Sequence, residues 1–385
     1  MRKKIAFFST SRADYSLISP LIKSLKKDKT IESKLIICGS HLSKKHGYTV
    51  KEILQDRNKV NFKFKSYQEK KTNISHSIEL IIKGFNKALS KLKPDLIFLP
   101  ADRYEILGAA YAAYIKKIPI AHYAGGQITE GAWDDSIRHA VTKLSNYHFV
   151  STKNCKRNLL QLGENPKSIF ITGSLGIDNI KNLSLYTIDQ IEKKTKFKFQ
   201  QRFALVTYHF ETMSKTKNSD QISNLIKVLK KFNNISFIFT APNIDRKSIK
   251  MIEEIKDFVR SNKKSVFIPS LGKELYLSIL KKSKFVIGNS SSGIIEAPSF
   301  RVPTINIGDR QKGRVMCSSI INCQNNEKEI FASIKKALNK KFIFKIRKVK
   351  SPYGSGRSAQ KIVKILKKIN LKNIGRKKFF LNKNV

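Results

Sequence analysis

Residues 95–126 read DLIFLPADRYEILGAAYAAYIKKIPIAHYAGG. The run LIFL has no polar interruption, which predicts a β-strand covered on both faces rather than one with a wet side. It stops at Pro100, and Asp102, Arg103 and Glu105 follow at once. EILGAAYAAYIKK then predicts a helix of small apolar residues, and IPIAHYAGG (118–126) a second buried strand ending in a glycine pair. Strand, helix and strand at such short intervals make a βαβ unit and therefore a parallel sheet.

The same grammar extends in both directions. KIAFFS (4–9) and SKLIICGSH (33–41) predict strands, YSLISPLIKSLKK (15–27) and SIELIIKGFNKALSKL (77–92) helices. DDSIRHAVTKLS (134–145) opens a helix with two acids, as the positive end of a helix dipole favours. YHFVST (147–152) and SIFITGS (168–174) complete the first half. The second half restarts with FALVTYH (203–209), ISNLIKVLKKF (222–232), ISFIFTAPN (235–243), SVFIPS (265–270), ELYLSILKKS (274–283), FVIGNSSSGIIEAPS (285–299) and VPTINIG (302–308). The expected organisation is two doubly wound, Rossmann-like α/β domains facing a cleft, residues 1–180 and 181–357. A final amphipathic helix and a frayed basic tail should occupy 358–385.

At 385 residues and 41 % apolar composition the chain suits a globular protein with two cores. No apolar run reaches the ~18–20 residues of a membrane span. The short apolar run IAFF after MRKK is too brief for a secretory signal. The four cysteines, Cys38, Cys155, Cys317 and Cys323, lie far apart with no CxxC pattern, so idle thiols in a reducing cytoplasm are expected. The net charge of +48 first suggests nucleic acid. However, Lys outnumbers Arg about four to one and is spread along the chain without an interleaved aromatic stripe, which favours a solvated surface of biased composition. Nucleic acid and membrane are thus not expected as partners.

In open α/β sheets, ligands sit at the carboxyl ends of strands, and the polar clusters fall there. Arg12 and Asp14 follow the first strand, Asp102, Arg103 and Glu105 the 95–100 strand, and Gln127, Glu130, Asp134 and Asp135 the 118–123 strand. His209 and Glu211 follow the 203–208 strand. GNSSSGIIE (288–296) offers backbone N–H groups, the hydroxyls of Ser290, Ser291 and Ser292, and a helix start to an anion. Glu296, about two helical turns in, is placed to accept from a ribose diol. Arg310, Lys312 and Arg314 follow as a diphosphate clamp. No Walker A or GxGxxG pattern is present, so ATP and dinucleotides are not indicated.

SRADYS (11–16), ADRYE (101–105), GGQITEGAWDDSIRHAVTKLS (125–145), LVTYHFET (205–212), GNSSSGIIEAPSFRVPTINIGDRQKGR (288–314) and a late SPYGSG (351–356) together resemble the hydrolysing UDP-N-acetylglucosamine 2-epimerases, in order over roughly residues 1–370. The resemblance implies a glycosyltransferase-B architecture, no metal or cofactor, a UDP-sugar substrate and a homo-oligomer, dimer or tetramer. It implies anti elimination of UDP to a 2-acetamidoglucal, then hydration to N-acetylmannosamine for sialic-type acid synthesis. Carried over residue by residue, it gives Asp102, Asp134, Asp135 and His209 roles at the reacting sugar, with Gln127 beside them. Arg12, Arg103, Arg138, Ser290, Ser291, Ser292, Glu296, Arg310 and Arg314 would hold the UDP-sugar. Two positions depart from the family: Ala101 replaces its usual Gly, and Gln127 replaces Glu. A Gln keeps the hydrogen-bonding shape and cannot act as a base. Three alternatives stay open: the same reaction on a 2,4-diacetamido-2,4,6-trideoxy sugar, as in legionaminic acid synthesis; a glycosyltransferase of the same fold; and a catalytically inactive regulator.

Overall fold

The computed structural model describes residues 2–43, 48–66, 73–130, 132–209, 211, 220–242, 248–371 and 377–381. Phe210 and Thr212 of the LVTYHFET motif, Gly131 of the 125–145 motif, and 372–376 and 382–385 of the basic tail lie outside them.

Two compact units emerge, each with its own parallel sheet. One comprises Met1–Gln127, Asp134–Asn179 and Tyr353–Val385, the other Ile128–Trp133 and Ile180–Pro352. In the first, strands β1 (Lys3–Ser9), β2 (Ile31–Ile37), β3 (Phe62–Lys63), β4 (Leu96–Pro100), β5 (Ile120–Tyr123), β6 (Tyr147–Val150) and β7 (Ile169–Ile171) stand in the order β3-β2-β1-β4-β5-β6-β7. In the second, β8 (Phe203–Thr207), β9 (Ser236–Phe239), β10 (Val266–Phe267), β11 (Val286–Gly288), β12 (Thr304–Ile307) and β13 (Ile320–Cys323) stand as β10-β9-β8-β11-β12-β13. Each order reverses direction once, beside β1 and β4 in one sheet and beside β8 and β11 in the other. Loops diverge at such points and leave a crevice at the carboxyl ends of the strands.

The apolar runs are buried on both faces because alternate residues serve two cores. Ile5, Phe7, Leu96 and Phe98 pack with Ile18, Leu21 and Leu25 of helix Arg12–Leu25 and with Ala359, Ile362 and Leu366 of helix Ser358–Lys368. Ala6, Phe8, Ile97 and Leu99 face the other way, onto Phe85 and Leu89 of helix Ile74–Leu92 and Ala109, Ala110 and Ala113 of helix Tyr104–Ile115. Each fully buried Phe or Leu contributes roughly 1.5–3 kcal/mol. The second sheet repeats the arrangement, with Ala204 and Val206 on one face and Phe203 and Leu205 on the other.

Helix Arg12–Leu25 begins three residues earlier than its apolar pattern suggested, because Ser11 caps it by accepting from the Asp14 N–H. The C-terminal helix belongs to the first unit. Asp178 accepts from the backbone N–H groups of Ser358 (2.9 Å) and Ala359 (2.6 Å) at its start, and the Lys3 ammonium donates to the carbonyls of Lys367 and Ile369 at its end (2.6 Å each).

Residues 377–381, expected to fray, are instead fastened. Lys377 donates to the carbonyls of Thr142, Lys143 and Ser145 at the end of helix Asp134–Leu144, and pairs with buried Glu164 at 2.7 Å. Glu164 also meets His148 at 2.8 Å and Lys143 at 3.0 Å. Burial works against the carboxylate, but the His148 hydrogen bond and Lys377 outweigh it and hold the pKa down at about 2, against an ordinary 4.5. A depressed carboxylate adds stability that is fully present above about pH 4.5 and fades as pH falls towards about 2. Glu164→Gln should therefore be the less stable protein at neutral pH and lose less of its remaining stability between pH 5 and 2. Urea midpoints of both proteins across that range test this, and parallel curves would remove Glu164 from the account.

Candidate active site

In the first unit the site is organised by Arg138, which is 1 % exposed. Its Nε and Nη2 donate to Asp102 Oδ2 (2.9 and 2.5 Å), and its Nη1 donates to Asp135 Oδ1 and to the Gln127 carbonyl oxygen (2.7 Å each). One guanidinium thus joins the end of β4, the end of β5 and the first turn of helix Asp134–Leu144. Burial opposes its charge, yet Asp102 and Asp135 prevail and raise its pKa. Asp134 opens the same helix, and His139 Nε2 lies 3.2 Å from Asp135 Oδ2.

Local backbone shape explains how these groups meet. Ala101, just after β4, has φ +63°, and its N–H donates to the Tyr123 carbonyl at 3.0 Å. That left-handed residue turns the chain so that Asp102 leaves the sheet plane. Gly126 has φ +71°, and a Cβ there would collide with the Cys155 carbonyl oxygen. His122, buried beneath, bonds the Ala101 carbonyl through Nε2 (2.8 Å) and Thr142 Oγ1 through Nδ1 (3.1 Å). Burial lowers its pKa to about 3, so it serves as a neutral strut.

Gln127 is buried, with its amide nitrogen 3.5 Å from Ser151 Oγ. Its contact with Arg138 runs through the backbone carbonyl, which any side chain provides. The Asp102–Arg138–Asp135 bridge is therefore independent of the missing Glu carboxylate. Arg103 turns elsewhere and pairs with Glu105 (2.8 and 3.1 Å), whose charge is the main cause of its raised pKa. Arg12 occupies the first position of helix Arg12–Leu25, after the β1 end where Asp14 accepts from the Thr10 N–H (3.0 Å) and Thr10 Oγ1 (2.5 Å).

In the second unit the organiser is Asn289, quoted within GNSSSG but given no role by the sequence reading. Its Oδ1 accepts from the His209 N–H (2.7 Å), its Nδ2 donates to the His209 carbonyl (2.8 Å), and its own carbonyl accepts from Arg310 Nη1 (3.0 Å) and Gln311 Nε2 (2.8 Å). It ties the ends of β8 and β11 to the basic loop after β12. Burial, reinforced by Arg310, pushes the His209 pKa well down, leaving a neutral imidazole. Glu211 accepts from the Arg310 N–H (3.4 Å), and burial raises its pKa. Gly308 has φ +74°, and a Cβ there would collide with the Glu211 carboxylate.

Ser290 caps the helix Ser291–Ile295 by accepting from the Ser292 N–H, and Ser292 Oγ accepts from the Tyr276 hydroxyl at 2.8 Å. That helix has one turn, so Glu296 sits at the junction with helix Ala297–Phe300 rather than two turns in. Pro298, which has no N–H to continue the first helix's bonding, accounts for the interruption, and the left-handed Arg301 ends the second helix. Burial raises the Glu296 pKa to about 7, against a hydrogen bond from Ser292. Arg314 lies in the basic loop, where Lys312 pairs with Glu130 at 2.7 Å. Residues 128–133 thus pack in the second unit although both flanks of the 125–145 motif belong to the first.

Nothing in residue type alone singles out Asn289, Tyr276 or His122, whereas Glu211 stands with His209 at a strand end. Each acts through backbone groups or neighbours far away in sequence. The left-handed Ala101 generates a test: relief of the Cβ clash exceeds the extra backbone entropy that Gly loses, so Ala101→Gly should stabilise by up to about 1 kcal/mol. A lower urea midpoint for that variant would refute the strain.

The family model for UDP-N-acetylglucosamine 2-epimerase matches residues 23–367. The chain is 37 % identical to the GDP/UDP-N,N'-diacetylbacillosamine 2-epimerase (hydrolyzing) of Campylobacter jejuni, covering 98 % of this chain and 99 % of that protein. It is 36 % identical to the polysialic acid biosynthesis protein P7 of Escherichia coli, covering 98 % and 97 %. It is 30 % identical to the UDP-N,N'-diacetylbacillosamine 2-epimerase (hydrolyzing) of Legionella pneumophila, covering 96 % and 97 %. Among solved structures, the Neisseria meningitidis UDP-GlcNAc 2-epimerase bound to UDP-GlcNAc shares the fold with a TM-score of 0.83 at 21 % identity, covering 96 % of this chain and 100 % of that one. With parallel-sheet units, ordered motifs and full-length relatives in agreement, the chain belongs to the hydrolysing UDP-N-acetylglucosamine 2-epimerase family and is an enzyme of that type.

Proposed function

We propose that this enzyme removes UDP from a UDP-linked 2-acetamido sugar and releases the sugar inverted at C2. The observation that carries the reading is the pair of carboxylates, Asp102 and Asp135, fixed by one buried guanidinium at the strand ends of the first unit. The shared guanidinium fixes where both carboxylates stand relative to one another. One of Asp102, Asp134 and Asp135 takes the C2 proton while the C1–O bond breaks and its electrons leave with the diphosphate. The resulting 2-acetamidoglucal gains hydroxide from water at C1 and a proton at C2 on the opposite face. Neutral His209 would serve the reacting sugar as a hydrogen-bonding partner rather than as a strong base, and Arg310, Arg314 and the Ser290–Ser292 turn are suited to receiving the departing diphosphate. Gln127, without a carboxylate, orients the substrate and does not act as a base.

Two sugars are in contention. N-acetylglucosamine is the simpler, with N-acetylmannosamine as product. The 2,4-diacetamido-2,4,6-trideoxy sugar is favoured by the names of the Campylobacter and Legionella relatives. Either product feeds sialic-type acid synthesis, and the enzyme is proposed to work as a homo-oligomer in the cytoplasm.

Proton NMR in deuterated water, with each UDP-sugar in turn, tests both the reaction and the choice. The expected result is UDP together with a C2-inverted sugar carrying deuterium at C2, formed faster from the preferred substrate. Two unchanged spectra would refute the function. Asp102→Asn and His209→Ala should each lower kcat by about 100-fold or more while UDP affinity, measured by calorimetry, stays within a few fold. Retained turnover in both would move the chemistry away from these residues.

A further inference from the structure

The helices Glu327–Leu338 and Lys340–Ile346 and the turn that follows form a surface that the reaction does not use. Residues 330–350 hold eight basic side chains (Lys335, Lys336, Lys340, Lys341, Lys345, Arg347, Lys348 and Lys350) and no acid. The chain as a whole has 28 acids against 76 basic residues, so the local bias exceeds the general one. Here aromatic rings do interleave with the charges. Lys335 lies 4.7 Å from the Phe331 ring, Lys336 5.8 Å from the Phe342 ring, and the Arg347 guanidinium 5.7 Å from the Phe344 ring. Phe344 is 67 % exposed in their midst. A shallow depression of about 440 Å³ is rimmed by Lys335, Lys336, Lys341 and Lys345, with Phe342 and Asn339. Glu327, at the far end of the first helix, faces Lys227 and Lys231.

We propose that this face docks on an anionic phospholipid surface, the lysines meeting headgroup phosphates and Phe344 entering the interfacial layer. Flexible, strongly hydrated ammonium groups suit the diffuse charge of a headgroup layer, where each adds to the attraction. An exposed aromatic residue among cations is the usual composition of an interfacial anchor. Nucleic acid fits less well. Single strands stack successive bases on several exposed rings, whereas of Phe331, Phe342 and Phe344 only Phe344 is exposed; and only one of the eight cations is the bidentate Arg that phosphodiesters favour.

The test is sedimentation of the full chain with phosphatidylcholine vesicles, with and without about 30 % phosphatidylglycerol. The triple variant Lys340→Glu, Lys341→Glu, Lys345→Glu is compared with a control of equal net charge on exposed lysines of the first unit, Lys83→Glu, Lys87→Glu, Lys91→Glu. Binding should require the anionic lipid, fall about tenfold or more in the first variant and stay within about twofold in the control. Phe344→Ser, which changes no charge, should weaken binding severalfold at fixed salt. Equal losses in both triple variants would mean that overall charge, and not this face, is responsible, and would overturn the proposal. So would failure to bind anionic vesicles, or displacement from them by a single-stranded RNA oligomer bound more tightly through the same lysines.

Discussion

The first unit's site depends on a buried cation. Arg138 sits where three chain segments converge, and its donors are consumed by two carboxylates and one carbonyl. Removing the positive member of a fully buried pair typically costs about 3–5 kcal/mol, and here Asp102 and Asp135 keep some solvent, which reduces the penalty. The larger consequence is geometric. Without Arg138, like charges from separate elements would repel, and the carboxylate positions would no longer be set by a single planar group. Positional tolerance in proton transfer is a fraction of an ångström, so a rigid fork is a sound way to hold two acids.

The second unit solves a related problem with neutral groups. Asn289 presents a donor and an acceptor to one residue's backbone and offers its own carbonyl to Arg310 and Gln311. An amide does this without adding charge beside the basic loop of Arg310 and Arg314. The two organisers also differ in their neighbours: Arg138 pairs with two carboxylates, whereas the surroundings of Asn289 leave His209 neutral and Glu211 raised.

Much of the fold was legible in the chain because uninterrupted apolar runs, LIFL and FALV among them, have only one good use between two helical layers. The polar residues at the ends of those runs lie at the carboxyl ends of the strands for the same reason, where the candidate site is placed. What escaped was set by partners remote in sequence. β3 is two residues long, and IINC of β13 gains its identity from pairing with β12. Helix Ser248–Ser261 and helix Glu327–Leu338 lie in Lys-rich stretches where charge obscures the apolar period. The sequence also gave no hint that residues 128–133 pack in the second unit, that Glu296 ends a one-turn helix, or that the tail at Lys377 caps helix Asp134–Leu144.

The return of helix Ser358–Lys368 to the first unit matters for the order in which the protein is made. Synthesis runs from the amino terminus, and domains generally fold as they emerge. Here the face of the first sheet bearing Ile5, Phe7 and Phe98 lacks part of its cover until residues 358–368 have left the ribosome. The second unit, whose longer segment ends at Pro352, is complete before then. The unit begun first is therefore the one finished last, and a released chain ending at Pro352 would carry every segment of the second core and an open first one.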